Sequence, residues 1–523
     1  MGIYLNPNNT DFYNAVNYSQ IYVDKTDLIN YTNKVLFGEQ KFICVSRPRR
    51  FGKSMAANML TAYYSRGCDS KEIFNKLKIA KADSFEKHLN KYNVIHINMV
   101  NFMNKGNSID EALDYLSRRI LHELKKEYSD VECFDWADMI SVLSEIFDTK
   151  KVPFIFVIDE WDCVFRVHKS DSDSQTKYLN FLRNLLKDQS YVALAYMTGI
   201  LPIKKYGEHS AINAFYEYSM IDAEPISEFT GFTESEVEKL CQKYNKSFTE
   251  MKRWYDGYNL NGISIYNPKS VVESILRGQF NNYWTSTETY EALKIYIEMN
   301  FDGLKDMVTR LIAGEKIEIN PGKFQNDMTT LRSADDICTL LVHLGYLTYD
   351  FYKNQVWIPN SEVSKEFINS IEDGGWEEVV KAIKASDELL KATLNRNEEK
   401  VAELIDKAHS DNTSILKYND ENSLSCVISL AYYSARKTYT IERELPAGKG
   451  YADLIFRPRK NNSNPAMIVE LKYDKSAKSA IEQIKKKDYA DCLKDYSGEI
   501  LIIGINYNKD NKRHTCKIGK ITK

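Results

Sequence analysis

The 523-residue chain has no CxxC pair among its nine cysteines, no HExxH among its eight histidines, and almost no net charge, with 70 Lys and Arg against 73 Asp and Glu. Each lack closes off a class of function. Nine scattered cysteines, an odd count, read as reduced thiols rather than a disulfide framework or a structural zinc site. Without HExxH spacing the chain is not expected to be a zinc hydrolase. A balanced charge excludes a wholesale polybasic coat for nucleic acid but leaves room for a local basic groove. The N-terminal ten residues lack a basic stretch followed by an apolar core, so no signal peptide is expected. Asn6 breaks the myristoylation pattern. The most apolar run, Phe154–Ile158, is far too short to span a membrane. Internal repeats and long low-complexity tracts are also missing. A cytoplasmic protein of about three domains is the expectation, with no membrane partner and its oligomeric state left open.

What is present is an alternation of short apolar runs and helical patterns over the first 220 residues. KFICVS (Lys41–Ser46), NVIHINMV (Asn93–Val100), VPFIFVI (Val152–Ile158) and YVALAYM (Tyr191–Met197) read as buried strands with helices between them. That order predicts a parallel sheet with right-handed crossovers. From Ile221 to about residue 372 the pattern is mainly helical, with no alternating strand pattern until GYLTYDFYKNQVWIP (Gly345–Pro359). That hairpin follows a helix over Asp335–Leu344, which suits a winged-helix unit or an ordinary α+β module. A charged helical stretch covers 373–410. From 411 onward the pattern is helix, strand (Tyr439–Glu444), strand (Ala452–Arg457), a turn at Lys460–Pro465, strand (Ala466–Tyr473), helix (Ala477–Tyr489), strand (Glu499–Asn506). The expected division is 1–220, 221–372, 373–410 and 411–523.

The first chemical signal is SRPRRFGKS, Ser46–Ser54, at a strand–helix junction. Gly52-Lys53-Ser54 is the end of a phosphate loop. Gly52 lets the backbone approach the phosphates, Lys53 pairs with the β/γ oxygens, and Ser54 ligates Mg²⁺. A helix N-terminus adds partial positive charge. The usual first glycine is replaced by Arg47. Arg47, Arg49 and Arg50 add positive charge beside the loop, or pair with surface carboxylates. The third strand ends in Asp159-Glu160. Asp159 can hold the Mg²⁺ shell and Glu160 can activate the attacking water, although such residues also serve as helix caps. Thr198, at the end of the fourth strand, can contact the γ-phosphate.

Together YVDKT (Tyr22–Thr26), SRPRRFGKS, FVIDEWD (Phe156–Asp162), TGILPI (Thr198–Ile203), WYDGY (Trp254–Tyr258) and YNPKSVV (Tyr266–Val272) resemble the bacterial AAA-ATPase-like family of P-loop proteins over roughly the first 290 residues. That family carries RPRRFGK in place of the first glycine. The resemblance implies ATP binding at Lys53 and Ser54 and a Walker-B role for Asp159 and Glu160. Arg166 and Arg183 are candidate charge stabilisers, and nothing in the sequence assigns an arginine finger.

The second signal is Asp453, then Glu470 and Lys472 two apart on a strand and so on one face, with Val469 and Leu471 on the other. Asp453 and Glu470 would bind Mg²⁺, and Lys472 would position the nucleophile or stabilise the pentavalent phosphate. A surface Glu–Lys pair is the plainer alternative. The arrangement resembles the PD-(D/E)xK nuclease superfamily over roughly 411–523, with Ala452 where a proline usually stands. In that light Glu421 and Glu442 are candidates for an extra acidic ligand, and Gln483 resembles the family's helix glutamine. Lys475, Lys478, Lys485, Lys486 and Lys487 could track a nucleic-acid backbone or be a solvated helix face. The expected whole is an ATP- and Mg²⁺-using protein whose α/β P-loop domain governs a restriction-endonuclease-like α/β domain acting on nucleic acid. The alternative is an ATP-driven signalling or scaffolding switch whose C-terminal fold only binds a partner.

Overall fold

Four mainly apolar runs build the N-terminal sheet, three of them buried along their whole length, as parallel strands covered on both faces are. They are β1 (Phe42–Ser46), β2 (Asn93–Asn98), β3 (Phe154–Asp159) and β4 (Val192–Gly199), and β5 (Tyr216–Tyr218) adds an edge. The order is β2-β3-β4-β1-β5, and every pairing is parallel. Helices Lys53–Tyr64, Ile109–Glu127, Met139–Lys150 and Ser172–Leu186 make the crossovers. Capping side chains fix where they start: Ser108 accepts the Glu111 N–H and Asp138 the Ile140 N–H. Since β3, β4 and β1 are neighbours and parallel, their C-terminal residues Asp159, Thr198 and Ser46 converge at one edge of the sheet, where α/β folds bind ligands.

The protein is described by a computed structural model, over residues 2–168, 171–203, 213–284, 290–299, 301, 303–325, 331–373, 376–412, 421–447, 450–459 and 462–521. It divides into two units, residues 1–289 with 318–364, and residues 290–317 with 365–523. Lys460 and Asn461 of the expected turn lie outside the described residues.

The rest of the first unit is mainly helical, but it holds strands that the periodicity missed. Phe232–Thr233, Tyr258–Leu260 and Ile263–Tyr266 form a small antiparallel sheet. Its hairpin turns on Asn261-Gly262, both with positive φ (53° and 88°), the geometry of a two-residue loop. The helix Ala334–Leu344 leads into the hairpin Thr348–Asp350 and Gln355–Trp357.

In the second unit a mixed sheet runs in spatial order β6 (Tyr439–Ala447), β7 (Gly450–Pro458), β8 (Ala466–Tyr473), β9 (Ile500–Asn508), β10 (Arg513–Ile521). Only β8 and β9 are parallel, joined by the helix Ala477–Lys486. Strand β8 is buried on both faces, so Glu470 and Lys472 share their side with Ile468 rather than with solvent. The helices Glu377–Leu394 and Glu398–Asn412 also belong to this unit. Among the described residues no helix is long and apolar enough to cross a membrane.

Candidate functional site

The phosphate loop turns sharply out of β1. Arg50 and Gly52 both take positive φ (70° and 89°), and Gly52 begins the helix Lys53–Tyr64. Among the described residues nothing stands within 4 Å of where a Cβ on Gly52 would be, so the backbone there leaves space for a ligand. The Lys53 ammonium is buried and donates to the carbonyls of Arg47 (3.0 Å) and Pro48 (2.9 Å). Burial lowers its pKa, against the pull of Glu160, Asp162 and Asp159. Ser54 is exposed in the first turn and Arg50 is half-buried.

Arg47 does something neither sequence reading foresaw. It is fully buried, and its guanidinium donates to the Ser46 carbonyl (2.9 Å), the Tyr218 carbonyl (2.8 Å) and the Thr230 hydroxyl (3.0 Å). It neither adds charge to the loop's outer face nor pairs with a surface carboxylate. Its role is to brace β1 against β5, and burial pulls its pKa down to about 10.

Opposite the loop, Asp159 is buried and accepts the Thr198 hydroxyl and the Glu160 N–H (3.0 Å). Thr198 is thereby tied to Asp159. Glu160 itself has φ of 55° and pairs with Arg166. Arg183 is exposed on its helix.

Beside Gly52 lies a cavity of about 270 Å³, walled by Ile21, Tyr22, Val23, Phe51, Met55, Phe229 and Phe232, with Lys25 and Lys269 at its polar margin. The sequence offered no sign of it, because its walls come from segments some 200 residues apart. The remaining loop residues are clasped from the same unit. Phe51 stacks edge-on to Tyr258 (5.0 Å between centroids), and its carbonyl accepts the Gly231 N–H at 2.8 Å.

In the second unit the β7–β8 register, Leu454 opposite Val469, brings Asp453 and Glu470 together one step further on. The Asp453 carboxylate accepts the Leu471 N–H at 2.6 Å. One Glu470 oxygen accepts both the Lys472 ammonium, at 2.7 Å, and the Gln483 amide. Tyr489 accepts the Gln483 amide in turn, at 3.0 Å. The second Glu470 oxygen is buried and has no hydrogen-bond partner among the described residues. Burial first, and Asp453 second, push the Glu470 pKa up to about 7. A carboxylate oxygen left without a donor beside a second carboxylate fits a divalent cation, which would supply the missing charge. Among the described residues no group of three His, Cys, Asp or Glu side chains gathers as a metal cage. Glu442 is not brought to this pair: its carboxylate lies 3.8 Å from Arg457, itself held on the Cys492 carbonyl. The Glu421 side chain lies outside the described residues.

Residues 9–207 match the family model described as a predicted AAA-ATPase, and residues 419–517 match that of the PD-(D/E)XK nuclease superfamily. The N-terminal domain is AAA-ATPase-like and the C-terminal domain PD-(D/E)XK-nuclease-like. A curated bacterial relative, the uncharacterized protein in the vnfD 5′ region of Azotobacter chroococcum mcd 1, is 24% identical over 279 residues, 51% of this chain and 51% of its own length. The chain thus matches about half the length of that relative. Two solved structures from Aeropyrum pernix also align. They are the ORC2 protein in ADPNP–ADP complexes (10% identity, TM-score 0.30, 68% of this chain and 97% of that one) and the ORC1 protein in complex with DNA (11%, 0.25, 71% and 97%). At those scores the likeness carries no argument. The AAA-ATPase-like match contains Lys53, Asp159, Glu160 and Thr198, and the nuclease-like match contains Asp453, Glu470, Lys472 and Gln483.

Proposed function

We propose that the AAA-ATPase-like domain binds and hydrolyses ATP, that the nuclease-like domain cuts nucleic acid, and that the nucleotide state governs the cutting. The observation that carries the reading is the Glu470 carboxylate, buried beside Asp453 and Lys472 with one oxygen that has no partner among the described residues. Left unpaired, such an oxygen costs about 1–3 kcal/mol, which a bound cation would offset.

At the nuclease-like site Asp453 and Glu470 would hold Mg²⁺, which activates water and offsets charge on the scissile phosphate. Asp453 is fixed by the Leu471 N–H and Glu470 by Gln483, so both carboxylates keep their aim. Lys472 would place its ammonium on the pentavalent phosphate. The lysines of the helix Ala477–Lys486, with Lys475 and Lys487, would meet the polymer backbone.

At the phosphate loop Lys53 would exchange its two carbonyls for the β/γ oxygens, and Ser54 and Asp159 would share the Mg²⁺ shell. Thr198 holds Asp159 in place, and Glu160 would take a proton from the attacking water. The apolar cavity beside Gly52 suits an adenine face, with Lys25 and Lys269 at its rim. Nine free thiols suit a reducing, cytoplasmic setting.

The test is a cleavage assay on DNA and RNA with Mg²⁺ or Mn²⁺, with and without ATP, for wild type and Lys53→Ala. The expected result is cleavage whose rate changes with ATP in the wild type and not in Lys53→Ala. Cleavage of equal rate in all four conditions contradicts the coupling.

A further inference from the structure

Strand β7 does not run beside β8 for its whole length. The ladder joins Phe456 to Met467, Ile455 to Ile468 and Leu454 to Val469, and there it stops. Beyond that point the Leu471 N–H, which faces β7, is taken at 2.6 Å by the Asp453 side chain instead of by a β7 carbonyl. On its other side β7 stays paired with β6 as far as Gly450 opposite Ala447. Residues 450–453 therefore form an arm that parts from β8 at the carboxylate pair and continues past it on β6. Side chains alternate along this arm. Ala452 is buried, Asp453 is half-buried, and Tyr451 is 65% exposed. Residues two apart on a strand share a face, so Tyr451 stands on the side of Asp453, about 7 Å further along. The Lys487 ammonium lies 3.1 Å from where a Cβ on Gly450 would be, and its charge also acts on Glu470. A cation is thus close both to the arm and to the carboxylates.

A lone exposed tyrosine needs no explanation. This one stands on an opened strand edge, next to the two carboxylates assigned to the scissile phosphate. We propose that Tyr451 is the specificity-determining residue of the nuclease-like site, stacking on a base beside the scissile phosphate and so selecting single-stranded nucleic acid. The inference rests on the nuclease reading and names the class of polymer that the site takes. Stacking needs a free base face. In a duplex both faces of a base are covered by the neighbouring pairs, whereas a single strand can turn a base out onto an aromatic ring. Every base has such a face, so the contact reads strandedness and not sequence, in DNA and RNA alike. Lys487, beside Gly450, meets the backbone phosphate of the same stretch, which holds the strand along the arm while Tyr451 takes the base.

The test reads binding and cleavage separately on the full chain, as wild type, Tyr451→Ala and Tyr451→Phe, with circular dichroism to confirm folding. Fluorescence anisotropy with Ca²⁺ follows labelled single-stranded DNA and RNA oligonucleotides and the matching duplexes. The wild type is expected to bind both single strands at least tenfold tighter than their duplexes. Tyr451→Ala is expected to lose about tenfold on single strands, the size of one base–aromatic stack, and nothing on duplexes. Tyr451→Phe, which keeps the ring, is expected to bind as the wild type does. In cleavage assays with Mn²⁺ the same loss is expected in KM, with kcat within about threefold. Equal wild-type affinity for single strands and duplexes, or unchanged single-strand affinity in Tyr451→Ala, overturns the inference. Tyr451→Phe as weak as Tyr451→Ala also overturns it, because the contact then runs through the hydroxyl. A wild type that binds no polymer overturns it outright. A wild type that binds single strands through Tyr451 but cuts none overturns the nuclease reading, while the base contact stands.

Discussion

The indole N–H of Trp284 donates to the carbonyl of Arg49, at 3.2 Å, so a residue far along the chain holds the tip of the phosphate loop. Trp284 is itself fixed, because its backbone N–H and that of Tyr283 both donate to the buried Glu362 carboxylate, at 2.9 and 2.6 Å. Gly345, with φ of 87°, completes the clasp: a Cβ there would come within 2.8 Å of Pro48. The loop's shape thus depends on the segment that precedes the hairpin Thr348–Trp357. Trp284→Phe keeps an aromatic ring, smaller than the indole, and removes the donor. It is expected to weaken Mg-ATP binding about fivefold, the worth of one hydrogen bond of about 1 kcal/mol. Calorimetry checks this, and unchanged affinity would mean the loop holds its shape unaided.

Thr198 and Glu160 are expected to separate binding from chemistry. Thr198→Val removes the hydroxyl that Asp159 accepts but leaves Lys53 and Gly52 untouched. Hydrolysis is expected to fall at least tenfold with Mg-ATP affinity within about threefold of wild type. Glu160→Gln should likewise bind Mg-ATP and lose hydrolysis. Paired calorimetry and phosphate-release assays read both, and a joint collapse of binding would place these residues in structure rather than catalysis.

The nuclease-like triad should split by metal. Asp453→Ala removes a proposed metal ligand and should be partly rescued by raised Mn²⁺. Lys472→Ala removes a charge proposed to act at the transition state and should not be rescued. Rescue of both to the same degree would place Lys472 in metal binding instead. If the three side chains act as a unit, losing all of them is expected to be little worse than losing one.

Glu470 gives the second unit a pH signature. Its pKa is raised from 4.5 to about 7, so the folded chain favours the protonated form. The stability this contributes is full below 4.5 and is lost as pH rises through about 7. Melting in the presence of a chelator should show the transition temperature of wild type falling between about pH 5 and pH 7.5, with a flatter slope in Glu470→Gln. Added Mn²⁺ should raise it more at the upper pH, where the carboxylate is ionised. Equal slopes in wild type and Glu470→Gln would contradict the buried-carboxylate account.

The sheet edge that carries Asp159 and Thr198 was legible because parallel strands are long apolar runs, and a polar residue ending such a run stands out. Asp453, Glu470 and Lys472 were legible because their two-residue spacing fixes a shared face. Other features left signals that the periodicity overlooked. Asn261-Gly262 is a hairpin dipeptide, and the alternation of His514, Cys516 and Ile518 with Arg513, Thr515 and Lys517 marks β10. Some features left none. That Arg47 is buried depends on the Tyr218 carbonyl and the Thr230 hydroxyl, and that residues 290–317 join the second unit depends on contacts with chain more than a hundred residues away, such as Arg436 on the Ala313 carbonyl and Arg443 with Glu315. Long-range packing of that kind has no local pattern to read.

The most direct test is metal-dependent cleavage of single- and double-stranded DNA and RNA by wild type and Glu470→Ala, purified in parallel and assayed in Mn²⁺ with ATP. Cleavage by the wild type and its loss in Glu470→Ala is the expected result. Cleavage at the wild-type rate in Glu470→Ala would contradict it.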